Sequence, residues 1–176
     1  MKNLPLAKVY QLLEPGPVVL LTTAQKDRAD VMTMSWHMMV EFEPPLIGCV
    51  VSSADYSFAA LKATKECVIA IPALHLAQKV VDVGNSSGRD VAKFEKFGLT
   101  PRKAARVAAP LIAECFANLE CKVVDTRLVN KYNLFVLEVV KAWSDPKQRN
   151  PKTIHHRGYG EFVVDGSVIK LKSKMP

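Results

Sequence analysis

Apolar residues fall in short runs separated by proline, glycine or polar breaks, and most runs have the length of strands rather than helices. Val18 to Thr23 is continuous and β-branched, which predicts a strand buried on both faces. From Val31 to Trp36 the pattern alternates, with Met32, Met34 and Trp36 on one face and Val31, Thr33 and Ser35 on the other. Pro44-Pro45 breaks the chain before a further apolar strand, Leu46 to Ser52. Cys67 to Ile71, Cys115 to Val124 and Asn133 to Trp143 read as three more strands. Phe162 to Val164 and Val168 to Leu171 read as a hairpin about Asp165-Gly166, a strong turn pair. Helical spacing is confined to residues 5–13, 55–64, 74–83 and a stretch capped by Asp90 in which Val91, Phe94 and Phe97 share a face. Strands outnumber helices and do not alternate regularly with them. The expected class is therefore mainly β with helical insertions, a barrel rather than a doubly wound parallel sheet.

Composition narrows this picture without changing it. A chain of 176 residues with 49% hydrophobic and 23% charged residues makes one domain with a real core, and excludes a disordered chain. No apolar run approaches the roughly 20 residues that span a bilayer. The first residues lack a signal-peptide pattern, so the expected location is the cytoplasm, without a membrane partner. Cys49, Cys67, Cys115 and Cys121 form no CxxC pair, and buried free thiols are the expectation. His155 and His156 are adjacent on a strand and point to opposite faces, so no metal site is expected. The net charge of +7 is spread along the chain with no nucleic-acid-binding signature; a solvated basic surface or steering of anionic ligands accounts for it.

Candidate chemistry lies in three segments. Thr33 and Ser35 place two hydroxyls on one face of a strand, or form only its wet side. Ser52-Ser53 ends an apolar strand and Tyr56-Ser57 opens a helix; together they read as a phosphate cradle or simply as a cap. Ser86-Ser87-Gly88-Arg89 is a second anion candidate, with Lys93 one turn further on, or an ordinary turn, since no Walker lysine follows. No G-x-S-x-G elbow supports a serine hydrolase.

The order of these segments resembles the flavin reductase-like, FMN-binding split-barrel family, with its flavoredoxin-like branch nearest. The resemblance is carried by Asp30-Val31-Met32-Thr33-Met34-Ser35-Trp36, Pro44-Pro45-Leu46-Ile47-Gly48-Cys49-Val50, Ser87-Gly88-Arg89-Asp90-Val91-Ala92-Lys93-Phe94, Leu119-Glu120-Cys121-Lys122-Val123 and His155-His156-Arg157-Gly158-Tyr159-Gly160. It implies a Greek-key split β-barrel as a single domain over residues 1–176, a homodimer, and FMN bound near the dimer interface. On that resemblance the flavin edge is held by Thr33, Met34, Ser35 and Trp36. Cys49, Val50, Ser52, Ser53, Tyr56 and Ser57 serve the ring and phosphate, and Ser87, Gly88 and Lys93 contribute from the later segment. His156, Arg157 and Tyr159 are candidates for framing a nicotinamide on the exposed side. Where the family often has asparagine, this chain has Asp30, a poor neighbour for a phosphate unless it is solvated, protonated or paired with a cation.

Two functions follow. One is an NAD(P)H-dependent flavin oxidoreductase in which hydride passes to flavin N5 and close stacking, rather than a side-chain acid or base, supplies the rate. The other is an FMN electron carrier exchanging electrons with a redox partner protein, docked by the basic surface.

Overall fold

A computed structural model describes residues 2–9, 16–26 and 28–172. Its strands are β1 (Lys2–Asn3), β2 (Val19–Gln25), β3 (Arg28–Met34), β4 (His37–Glu41), β5 (Leu46–Val50), β6 (Glu66–Ile71), β7 (Pro101–Arg102), β8 (Leu111–Ile112), β9 (Ala117–Asp125), β10 (Leu134–Ser144), β11 (Ile154–Gly158) and β12 (Glu161–Val164). The helices are α1 (Tyr56–Thr64), α2 (Ala77–Gly84) and two single turns, α3 (Lys93–Lys96) and α4 (Val129–Tyr132).

Seven strands lie in the order β3-β2-β6-β9-β10-β5-β4, all antiparallel, with β1 added on β10. The two edges, β3 and β4, are consecutive in the chain and only Ser35 and Trp36 lie between them. Two residues span at most about 10 Å between flanking Cα atoms. The sheet must therefore curl until its edges almost meet, which is a barrel left open along one seam. The Val50 amide donates to the Trp36 carbonyl at 3.0 Å, so the β4–β5 ladder extends into the seam.

The continuous apolar runs reflect burial on both faces of this sheet. In β2, Val19 and Leu21 point into the barrel with Ile47, Ile69, Leu119, Phe135 and Leu137. Leu20 points outward and packs with Val31, Val80, Val83, Phe94 and Ile154 beneath α2 and the β11–β12 hairpin. Cys67 and Cys121 are paired across β6 and β9, and all four thiols are free and buried. Burial pushes the Cys49 and Cys115 thiols up; at Cys67 a hydrogen bond with Cys121 acts first and burial second. No helix among the described residues is long and apolar enough to cross a membrane.

Of the helix expected over residues 5–13, the described part holds a 3-10 turn, Leu6–Lys8, and residues 10–13 lie outside the described residues. Three local expectations change. The helix expected from Asp90 starts later, at Lys93, because the Asp90 and Val91 amides are turned back onto the Ser87 carbonyl. β4 was not anticipated: Met38 and Val40 are exposed while Met39 between them packs against the core, so its apolar residues are consecutive and do not alternate. The last hairpin pairs β11 with β12 about Tyr159-Gly160, and not about Asp165-Gly166. Gly158, Tyr159 and Gly160 all have positive φ, which the two glycines accept without strain. Asp165 instead clamps the base of the hairpin, its carboxylate accepting from the Thr153 amide (2.7 Å) and hydroxyl (2.8 Å) and lying 2.7 Å from His155 Nε2.

Candidate functional site

Two adjoining cavities run along β3 toward the seam, sharing Met32, Thr33 and Asp55. The larger, about 610 Å³, is walled by Met34, Ser35, Trp36, Val50, Ser52 and Asn133. The smaller, about 340 Å³, is bordered by Asp30, Tyr56, Ser57, Gly88, Arg89 and Lys93, with Ser86 and Ser87 above. Together they form a groove, apolar at the seam end and charged at the other.

Each wall has a local cause. β3 stops at Met34, so Met34 stays in the core while Trp36, beyond the strand, is 71% exposed. The face assignment of Met32, Met34 and Trp36 therefore holds for the first two only. Thr33 is not on a wet face. Its hydroxyl donates to the Val80 carbonyl at 2.6 Å and its side chain meets Gly84, so it lies beneath α2 with the groove at its flank. Asp55 precedes α1 without a side-chain cap bond; its carboxylate accepts instead from the Ser52 amide at 3.1 Å and closes the turn between β5 and α1.

At the charged end, Asp30 is 5% exposed and accepts the Ser57 hydroxyl at 3.0 Å. Gly88 sits directly on that carboxylate: a Cβ there would lie 2.4 Å from Asp30 Oδ1 and 2.5 Å from Tyr56 Cδ1. The Gly88 carbonyl accepts from the Arg28 guanidinium. Arg28 and Arg89 flank the Tyr56 ring at 5.1 and 5.9 Å from its centroid, and Arg89 donates to the Ala54 carbonyl. Lys93 is 5% exposed and its side chain makes no hydrogen bond or ion pair among the described residues. Burial lowers its pKa, opposed by the charges of Asp30 and then Asp55.

Of the residues expected from sequence, Thr33, Met34, Ser35, Trp36, Val50, Ser52, Tyr56, Ser57, Ser87, Gly88 and Lys93 border this groove. Ser53 borders a neighbouring cavity of about 430 Å³ on the far side of Tyr56. The Cys49 side chain is turned into the barrel, because β5 alternates and Val50 takes the groove side. His156, Arg157 and Tyr159 are exposed on the β11–β12 hairpin and line none of these cavities; His156 packs on Phe162 instead. Sequence reading passed over Lys131, Tyr132 and Asn133, which close the seam end from the turn before β10. The signal was an asparagine ahead of a long strand: Asn133 adopts φ +57°, a conformation asparagine tolerates, and its carbonyl accepts the Val51 amide.

The donor chemistry suits a flat heteroaromatic ligand carrying a polyhydroxyl chain. Methionine, tryptophan and valine offer apolar faces, the strand end offers backbone groups, and carboxylates and hydroxyls follow along the groove.

Comparison with known proteins agrees. The family model described as "Flavin reductase like domain" matches residues 12–162. The YddH protein of Escherichia coli K12 is 32% identical over 173 residues, covering 90% of this chain and 92% of that one. An FMN-binding domain of a flavin reductases-like enzyme from Shewanella baltica OS155 superposes with a TM-score of 0.91 at 27% identity, covering 97% of each chain. The flavoredoxin of Desulfovibrio vulgaris (Miyazaki F) shares the fold with a TM-score of 0.81 at 22% identity, covering 90% of this chain and 91% of that one. With the open-seamed barrel in place and the family model matched across most of its length, the chain belongs to the flavin reductase-like domain family.

Proposed function

We propose that the groove binds FMN and that the protein is a flavin oxidoreductase reduced by NADH or NADPH. The observation that carries this is the continuity of the groove, from an apolar seam at Met32, Met34, Trp36 and Val50 to a charged end at Asp30, Arg89 and Lys93. Bound FMN supplies a hydride-accepting N5, and the redox chemistry is its own. The chain orients and shields it. Met32, Met34 and Val50 offer apolar contact to a ring, the Ser35–Trp36 backbone and Asn133 offer hydrogen bonds to its edge, and Ser52 and Asp55 meet the chain beyond. Exclusion of water by these side chains is the chain's main contribution to rate.

The assembly that fits this reading is a homodimer. Trp36, Met38, Val40 and Phe42 are exposed at every second position along β4, an apolar stripe beginning at the groove. His156, Arg157 and Tyr159 stand away from the groove of their own chain, so a role in framing a nicotinamide requires a second copy.

A second reading, the electron carrier, is favoured by that same hairpin, which leaves the groove open to a protein partner, and by the +7 charge, which steers acidic partners. Anaerobic rapid mixing separates the two. The purified protein with FMN is expected to lose its oxidised-flavin absorbance on mixing with NADH or NADPH, at a rate insensitive to salt. Bound FMN that neither nucleotide bleaches leaves the carrier reading; failure to bind FMN refutes both.

A further inference from the structure

The charged end of the groove is neutral before any ligand arrives. Its cavity is bordered by two carboxylates, Asp30 and Asp55, and two cations, Arg89 and Lys93. Lys26 and Arg28 border only the outer cavity beyond Tyr56. We infer that Asp30 is a specificity-determining residue, which makes the site select a flavin by its ring and ribityl hydroxyls and gain little from a phosphate, so that riboflavin is held about as tightly as FMN. This rests on the flavin-binding reading above.

Three observations carry it. Asp30 cannot turn away: one carboxylate oxygen accepts from Ser57 and the other lies against Gly88, whose missing side chain is the space it occupies. A phosphate that recruited Lys93 would bring its own negative charge beside a fixed, buried carboxylate. Several donors around the carboxylate are also engaged within the fold. Ser57 donates to Asp30, Thr33 to the Val80 carbonyl, Arg28 to the Gly88 carbonyl, and Arg89 to the Ala54 carbonyl. Ionised carboxylates only accept, and ribityl hydroxyls can donate to them, whereas an ionised phosphate cannot.

The test is a pair of fluorescence titrations of the intact protein at pH 8, with FMN and with riboflavin. The wild-type Kd values are expected to agree within tenfold. Asp30→Asn keeps the shape and the acceptor for Ser57 but removes the charge; it should shift the ratio of the two Kd values about tenfold toward FMN. The inference is overturned by a wild-type preference for FMN greater than tenfold, or by an Asp30→Asn protein in which that ratio does not move toward FMN. The wild-type ratio stands even if the variant fails to fold. Absence of binding by either flavin is a different outcome: it removes the cofactor reading, and this inference with it.

Discussion

Replacing Gly88 with alanine tests whether the contact between the 84–90 loop and β3 is as close as the structure places it. The added Cβ would lie 2.4 Å from Asp30 Oδ1, 2.5 Å from Tyr56 Cδ1 and 2.6 Å from Asp30 Cγ. Ordinary contacts begin near 3.4 Å, so about 1 Å of movement is needed against two neighbours at once. Neither yields easily: Asp30 is tied to Ser57, and two guanidiniums lie over the Tyr56 ring. Backbone strain does not enter, because φ at Gly88 is not in the left-handed region. Overpacking of this kind costs about 1–3 kcal/mol. A domain of this size loses about 2–4 °C of Tm per kcal/mol, so a fall of roughly 2–12 °C is expected. Thermal unfolding followed by circular dichroism measures it. Gly166→Ala is the control, since nothing lies within 4 Å of a Cβ there; a surface change of that sort stays within about 0.5 kcal/mol. A Gly88→Ala protein as stable as that control would refute the packing argument and, with it, the claim that Asp30 is immobilised.

Glu120 is fully buried and accepts from the Ala105 and Arg106 amides and from Trp143 Nε1 at 2.7 Å. Glu120→Gln sets an NH2 group against amide donors and should cost about 2–3 kcal/mol in urea unfolding, charge-assisted bonds being worth about that much; an unchanged midpoint would show the carboxylate is dispensable. His37 Nε2 lies 2.7 Å from the Pro17 carbonyl, while Nδ1 is buried without a partner among the described residues. Burial lowers its pKa, with the Pro17 carbonyl opposing. The unfolded chain therefore binds the extra proton more readily, and stability should fall as pH drops below about 6.5. His37→Gln should flatten that part of the stability–pH curve, and a curve of unchanged slope would remove His37 as its cause. Met38→Glu puts a charge in the middle of the β4 stripe and should convert a dimer to a monomer in light scattering; a wild-type protein that is already monomeric would dismiss the homodimer.

The strands that build the barrel were legible because burial on both faces leaves unbroken apolar runs, as in Val18 to Thr23 and Cys67 to Ile71. The groove-lining strand was legible as an alternation. Three things escaped for physical reasons. β4 carries Met38 and Val40 on the outside and Met39 toward the core, so its pattern resembles that of an irregular segment. The Asp165-Gly166 pair has turn chemistry, but its carboxylate is more strongly engaged by Thr153 and His155 than any turn would require. The hydroxyls of Thr33, expected at a flavin edge, and of Ser57, expected in a phosphate cradle, are spent on protein acceptors, a matter of direction that spacing does not encode.

The seam has a consequence for the behaviour of the chain in concentrated solution. Among the described residues β4 pairs with β5 on one side only, with Met38 and Val40 exposed beside the other edge and neither lysine nor proline within the strand. Such an edge is a template for strand addition by any other extended chain. The net charge of +7 holds copies apart at low ionic strength, and salt screens that repulsion over about 8–10 Å near physiological concentration. Solubility is thus a contest between a long-range repulsion spread over the whole surface and a short-range attraction confined to five residues, and it is the ionic strength of the medium that decides which of the two a neighbouring molecule meets first.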